Sequence, residues 1–393
     1  MSDPIVIVSG ARTPIGGLLG DFKDIAAPQL GAIAIRAALH RANLPADAVD
    51  EAMMGCVLSA GLGQAPARQA ALAAGLPEAT GCTTVSKVCG SGLKAVMLAH
   101  DAIIAGSARI IVAGGMESMT NAPHLLRGAR PGCRMGDVKA ADHMFLDGLE
   151  DAYDKGKLMG VFAEACARHY QFTRAAQDQF AIASLERAKK AAEDGTFARE
   201  IVPVTVRIKG GEVEIAKDEL PQKANPAKIP TLKPAFAADG TVTAANASSI
   251  SDGAAAVVIM RASDAEKRGI KPLARIAAHA SHSQAPAEFA TAPIGALRRL
   301  SEKCGWALKD VDLFEVNEAF AVVTMAAMQD LSLPHAKMNI HGGACALGHP
   351  IGASGARILV TLMNALKTHS LKRGMASLCI GGGEAVAVAV EML

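Results

Sequence analysis

One order of elements occurs twice in this chain, and any fold must accommodate it. In the first copy Ser91-Gly92 opens a helical pattern over 93–105, followed by an apolar β-type run over 110–112 and the pair Gly114-Gly115. In the second, the loop from Gly348 to Gly355 opens a helical pattern over 356–367, which leads through Ser377-Leu378-Cys379-Ile380 to Gly381-Gly382-Gly383. Residues 47–54 and 309–316 add a further correspondence, each with a Val-Asp step (Val49-Asp50, Val311-Asp312) ahead of a β-type run. Self-similarity of this kind is the mark of a duplicated supersecondary unit. Strands alternating with alanine-rich helical patterns (30–42, 65–74, 93–105) predict α/β halves with parallel strands and crossover helices. Each half then offers one glycine-lined helix N-terminus, and paired halves commonly meet at a shared site.

The rhythm divides the chain. Residues 1–118 read as an N-terminal α/β half, and residues 119–250 as an inserted lobe richer in charge, proline and glycine. Residues 251–270 return to the first half, and 271–393 form the C-terminal half. Within the lobe, residues 173–193 read as a helix with Thr173 as N-cap and Gly195 as stop. Short strands are expected over 202–206 and 212–215, and 223–234 reads as a proline-punctuated loop.

Composition removes several classes of function. With 40 basic and 38 acidic residues the net charge is +2, which provides no general field for nucleic acid. Half of the residues are apolar, yet no run approaches the roughly 20 needed to cross a bilayer, so no membrane partner is expected. The first 20 residues lack the basic start and long apolar core of a signal peptide. Eight scattered cysteines without a C-x-x-C pair point to reduced thiols in a cytoplasmic protein, with neither metal nor disulfide roles. Walker-type loops, H-E-x-x-H, G-x-S-x-G and G-x-G-x-x-G are all absent.

Four signals remain, all at loop or strand ends: Cys89, the segment Asn317-Glu318-Ala319-Phe320, His349 and Cys379. An extended run over 83–88 feeds Cys89 into the start of a helix. The dipole there stabilises negative charge and is expected to draw a thiol from about 8.5 toward neutral pKa. Each signal also has a structural alternative: a buried thiol, a turn ended by His349-Pro350, or a helix capped by Asn317 or Glu318. Together they fit one chemistry. A thiolate accepts an acyl group, and a neutral histidine takes the thiol proton. A second cysteine then serves as acid or base at a substrate carbon. Glycine-rich neighbours let backbone N–H groups approach a thioester oxygen.

The blocks Val88-Cys89-Gly90-Ser91-Gly92, Asn317-Glu318-Ala319-Phe320-Ala321, Gly342-Gly343 through Gly348-His349-Pro350 to Gly355, and Cys379-Ile380-Gly381-Gly382-Gly383 resemble the four signature motifs of the thiolases. The resemblance extends over essentially the whole chain, including Ala65-Pro66-Ala67-Arg68-Gln69 and Ser251-Asp252-Gly253-Ala254-Ala255. It implies a duplicated five-layer αβαβα fold with an inserted loop domain, usually a homo-oligomer built as a dimer of dimers. The implied activity condenses two acetyl-CoA to acetoacetyl-CoA and CoA, or runs the reverse thiolysis, without a metal or redox cofactor. In that scheme Cys89 is the acyl-accepting nucleophile, His349 activates it and Cys379 moves the α-carbon proton. His349 and a water on Asn317 form one oxyanion hole, and the N–H groups of Cys89 and Gly381 the other. The coenzyme contacts implied are Leu149, Met159, Phe236, Ala244, Ser248, Ala319 and Phe320.

The sequence departs from the family pattern at several places. Leu158 stands where a histidine is common, and Gln222 where many members carry an arginine. The stretch from Ala280 to Pro293 replaces a Met-Gly-x-x-Pro pattern, His341 replaces an asparagine, and Glu384 follows the last glycines. The alternatives are a 3-ketoacyl-CoA thiolase of longer chain length in fatty-acid β-oxidation and, outside enzymes, a silent CoA-binding assembly subunit.

Overall fold

The computed structural model describes residues 3–393. Nine strands make the main path of one mixed sheet: β1 (Ile5–Arg12), β2 (Glu51–Gly55), β3 (Gly81–Val85), β4 (Ile110–Ser118), β5 (Ser251–Arg261), β6 (Ala274–Ser283), β7 (Leu313–Val316), β8 (Arg373–Ile380) and β9 (Glu384–Met392). Their spatial order is β7-β8-β9-β6-β1-β5-β4-β2-β3, and the short strand Gly16–Gly17 also pairs with β5.

Duplication is written into this order. In the first half β1 pairs antiparallel with β5, β5 antiparallel with β4, and β4 parallel with β2. In the second half β6, β9, β8 and β7 repeat the same senses. The halves join where Val6 and Ile7 of β1 face Arg275 and Ala274 of β6. The expectation of parallel strands is therefore corrected in part. Only the strands linked by crossover helices run parallel; the first and last strands of each half lie antiparallel to their neighbours, because β5 re-enters beside β4 after the lobe and β9 follows β8 as a hairpin.

The pleat sends alternate side chains of each strand to opposite faces, and the central strands are buried on both. Val6, Val8, Ile110, Val112, Val258 and Met260 face α1 (Ala27–Arg41) and α2 (Pro66–Ala73). Ile7, Ile111, Val257 and Ile259 face the other way, onto α3 (Ser91–Ala105), and from the second half Leu378, Val386 and Val388 converge on the same layer. Met375, Ala385, Ala387 and Ala389 pack outward with residues of α6 (Ala292–Cys304) and α7 (Ala321–Asp330). Helix α8 (Ile351–Thr368) shares the middle layer with α3, giving five layers, αβαβα. The lobe contributes α4 (Met159–His169), α5 (Arg174–Glu193) and a hairpin pairing Val204–Ile208 with Gly211–Ile215.

Local chemistry explains the ends of α3 and α5. Gly106 caps α3 at φ 78°, in the left-handed region that glycine adopts without penalty. Thr173 caps α5, its side chain accepting from the Ala176 N–H. Helix α3 is apolar nearly all round, the mark of a helix buried between layers, yet Ile104 near its end is 56% exposed. The window Val88–Ala105 reaches a mean hydropathy of 1.4, enough by composition for a membrane span. It carries Lys94 and Asp101, and its Leu93, Val96, Met97 and Ile103 lie within the middle layer.

Candidate active site

Helices α3 and α8 begin side by side, and their first turns touch through backbone. A Cβ on Gly92 would lie 2.9 Å from Gly352 O, and one on Gly355 would lie 2.4 Å from Leu93 N. Glycine at both positions lets the two N-termini approach to main-chain contact. Cys89 precedes one start and His349 the other.

Strand β3 ends at Val85, earlier than the extended run to Val88 that the sequence predicts. Val88 adopts φ 45°, a left-handed conformation that a β-branched residue rarely takes. The turn is held by Ser91, whose Oγ accepts from Lys87 N at 2.8 Å and donates to Val88 O at 2.7 Å. Observed strain of this kind clusters at functional positions, and here it aims the next residue, Cys89, into a cavity.

That cavity of about 600 Å³ is lined by Cys89, His349 and Gly381 together with Leu149, Met159, Phe236, Ala244, Ser248, Ala319 and Phe320. All seven residues expected to contact the coenzyme thus face one space. Phe289 and Leu158, two of the departures, line it as well. Phe236, Phe320 and Phe289 form an aromatic wall, with ring centroids 6.0 and 6.3 Å from the central Phe320. The lobe reaches this wall through backbone: Ser248 N donates to Ala319 O, and Ala321 N to Asn246 O. Asn317 and Cys379 are buried behind the lining.

The helix-dipole expectation for Cys89 is overturned. Burial pushes the thiol up to about 11, outweighing the backbone N–H groups of Gly381 and of Cys89 itself, which reach the sulfur and favour the thiolate. Cys379 is raised well above the ordinary thiol range, first by burial and then by the neighbouring Cys89. His349 is driven down to about 3 by burial, with Arg357 adding to the effect, so the imidazole is neutral.

Hydrogen bonding selects its tautomer. Ser354 Oγ donates to Pro350 O at 2.9 Å, so its lone pair faces His349 Nδ1 at 2.6 Å. The proton therefore resides on Nδ1, and Nε2 carries the basic lone pair. Asn317 Nδ2 lies 3.4 Å from Nδ1 and 3.5 Å from Nε2, while its Oδ1 accepts from Arg357 Nη2 at 3.3 Å. Arg357 is itself buried, 3.5 Å from Glu315, whose carboxyl burial pushes up to about 8. Among the described residues, Nε and Nη1 of Arg357 have no hydrogen-bond partner.

Glu117 is a further buried group, at the end of β4. It accepts from Val57 N, Leu58 N and Gly352 N, and so ties the loop after β2 to the first turn of α8. Glu318 does not cap α7, whose N-cap is Phe320. Instead it accepts from Ser184 Oγ, Asn339 Nδ2 and Cys345 N, anchoring α5 of the lobe to the C-terminal half. Glu117, Ser354 and Arg357 were not singled out by sequence reasoning. A lone acid closing the apolar run of β4, and a hydroxyl five residues after His349, were the available signals.

The other departures lie apart from the reacting groups. Gln222 turns back to Asp218 O. His341 is buried against Phe197 and His369, and Glu384 pairs with Lys87.

A duplicated five-layer fold that brings a cysteine on one helix start against a histidine on its twin defines a thiolase, and the chain belongs to that family. Residues 5–263 match the model of the thiolase N-terminal domain and residues 270–392 that of the C-terminal domain. Among curated relatives, an acetyl-CoA acetyltransferase of Cupriavidus necator is 51% identical over 98% of this chain and 99% of its own length. The cytosolic acetyl-CoA acetyltransferase of Mus musculus is 48% identical over 99% and 98%. Among solved structures, the Acat5 thiolase of Ascaris suum in complex with coenzyme A superposes with a TM-score of 0.93 at 40% identity, covering 99% of this chain and 100% of that one.

Proposed function

We propose that the chain is an acetyl-CoA C-acetyltransferase, condensing two acetyl-CoA to acetoacetyl-CoA and CoA and catalysing the reverse thiolysis. The observation that carries this reading is the common cavity of Cys89, His349 and Gly381, with Cys379 buried next to Cys89. Full-length relatives bearing that activity in their names support it.

In the first half-reaction His349 Nε2 takes the Cys89 proton as Sγ bonds to the acetyl carbon. The C–S bond to CoA then breaks, and the departing thiolate takes the Cys379 proton. In the second, the Cys379 thiolate removes an α-proton from a new acetyl-CoA. The resulting carbanion attacks the acyl group on Cys89, and the expelled Cys89 thiolate recovers its proton from His349. The high pKa of Cys379 suits the second role, since its thiolate is a strong base toward a carbon acid. Negative charge on the thioester oxygens falls to His349 Nε2–H with Asn317, and to the N–H groups of Cys89 and Gly381. The thioester supplies the activated carbonyl, so the reaction uses no separate cofactor.

Leu149, Met159, Phe236, Ala244, Ser248, Ala319 and Phe320 hold the coenzyme in this reading, with residues 119–250 as the coenzyme lobe. The aromatic wall favours a short acyl chain. A cytoplasmic dimer of dimers completes the proposal; the partly exposed edge strand β3 supports association between copies. Mass spectrometry after acetyl-CoA treatment is expected to place one acetyl group on the Cys89 peptide, and Cys89→Ala to abolish thiolysis. Full activity in that variant would overturn the mechanism, and faster cleavage of long 3-ketoacyl-CoA than of acetoacetyl-CoA would overturn the acyl assignment.

A further inference from the structure

Lys87 stands two residues before Cys89, and its Nζ pairs with the Glu384 carboxylate. The other carboxylate oxygen accepts from Ser283 Oγ at 3.2 Å. Glu384 faces Ile380 and so closes the hairpin between β8 and β9, whose tip is Gly381-Gly382-Gly383. Gly382 and Gly383 have φ 95° and 84°, and three successive glycines give the tip little stiffness of its own. Yet Gly381 shares one cavity wall with Cys89, and the tip must hold its N–H in place there.

Three contacts restrain the tip. Gln284 N donates to Gly383 O at 2.8 Å. Gly90 packs so tightly on Ile380 that a Cβ there would lie 2.4 Å from Ile380 Cδ1. The Lys87–Glu384 pair is the third, an ion pair between the hairpin and the strained turn carrying the nucleophile. Ser283, Gln284 and Glu384 are all positions where the sequence departs from the family pattern, and the fold brings them to one place.

We infer that the Lys87–Glu384 ion pair is a positioning device that holds the Gly381 N–H, the oxyanion donor of the glycine tip, in register with Cys89 on their common cavity wall. The inference rests on Cys89 as the nucleophile. Side-chain exposures of 25% and 35% make the pair a weak contributor to overall stability; its leverage is geometric, because donor placement sets how well developing charge is met. Around these groups Lys94 faces Glu384 and Glu117 faces Cys89.

Charge exchange separates positioning from the bare field of the two side chains. The variants are Lys87→Glu, Glu384→Lys, the double exchange and the neutral Glu384→Gln. Two readouts are taken: the rate of Cys89 alkylation by iodoacetamide as a function of pH, followed on the Cys89 peptide, and the kcat and KM of acetoacetyl-CoA thiolysis. A bare field slows alkylation in Lys87→Glu and speeds it in Glu384→Lys. Positioning slows it in both, by about threefold, as in Glu384→Gln, with kcat falling in parallel and KM nearly constant. The double exchange restores both rates to within about twofold of wild type. Opposite shifts in the single variants, unchanged rates, or no recovery in the double exchange overturn the inference. Absence of thiolysis in the wild-type protein would instead sink the proposed function and leave the alkylation comparison intact. Thermal melting of each variant excludes loss of fold, and Glu384→Gln tests the tie without introducing repulsion.

Discussion

Replacing Gly355 with alanine tests a close backbone contact between the first turns of α3 and α8. The added Cβ would lie 2.4 Å from Leu93 N and 2.7 Å from Leu93 Cβ. Ordinary contact begins at about 3.4 Å, so the first turns of α3 and α8 must separate by about 1 Å. Neither helix can yield elsewhere at low cost, since both are packed between sheet regions. Cys89 and His349 ride on the two turns being parted. Overpacking of this kind costs about 2 kcal/mol, which in a chain of this size lowers Tm by about 3 °C. The effect on catalysis is larger, because a displacement of about 1 Å between reacting groups costs about a hundredfold in rate. Steady-state thiolysis of acetoacetyl-CoA is therefore expected to show kcat reduced by about that factor in a protein that still melts cooperatively. Gly374→Ala is the control: its Cβ would meet only the methyls of Leu362 and Leu366, which can shift, and kcat is retained. If Gly355→Ala keeps kcat within about threefold of wild type, the helix contact does not set the spacing of thiol and imidazole.

Two further predictions concern groups that sequence reasoning passed over. Ser354→Ala removes the acceptor that holds the His349 Nδ1 proton, and about tenfold is expected to be lost from kcat with little change in KM; an unaltered kcat would show that the tautomer is fixed by other means. Glu117 has a folded pKa pushed up to about 7 by burial, so the folded state binds its proton more tightly than the unfolded chain does. Its contribution is therefore favourable at low pH and declines as pH rises from about 4.5 through 7, by up to about 3 kcal/mol. Urea melts are expected to show wild type losing stability relative to Glu117→Gln between pH 5 and 8, and a pH-independent difference would refute this.

The features legible in sequence are those set within a few residues or by repetition. Thr173 and Gly106 mark helix ends by local hydrogen bonding and φ, and the duplication appears as two similar strings. The motif resemblance placed all seven expected coenzyme contacts on what proves to be a common cavity wall. What escaped depends on partners distant in the chain. Cys89 has the helix start that should acidify it, but it packs against Leu58, Met119, Met144 and Ile351, residues scattered along the chain that no local pattern brings together. Arg357 and Asn317 are 40 positions apart, and Glu117 meets Gly352 across 235. Helix α4 was missed because Leu158 at its start offers no side-chain cap to mark it, unlike Thr173 of α5, and its burial is supplied by the Phe289 and Phe320 neighbourhood.

Strand β5 lies between β1 and β4, although the whole lobe separates it from β4 in the chain. A ribosome making this protein therefore completes Cys89 long before the first half of the sheet can close, and it adds His349 about 260 residues later. At ordinary synthesis rates that interval is roughly 10 to 50 seconds. Throughout it the cysteine lacks both His349 and the glycine tip that share its cavity in the folded chain. On the proposed mechanism, acyl-accepting power arrives only when the second copy of the motif folds against the first, so the duplication would also time the appearance of reactivity.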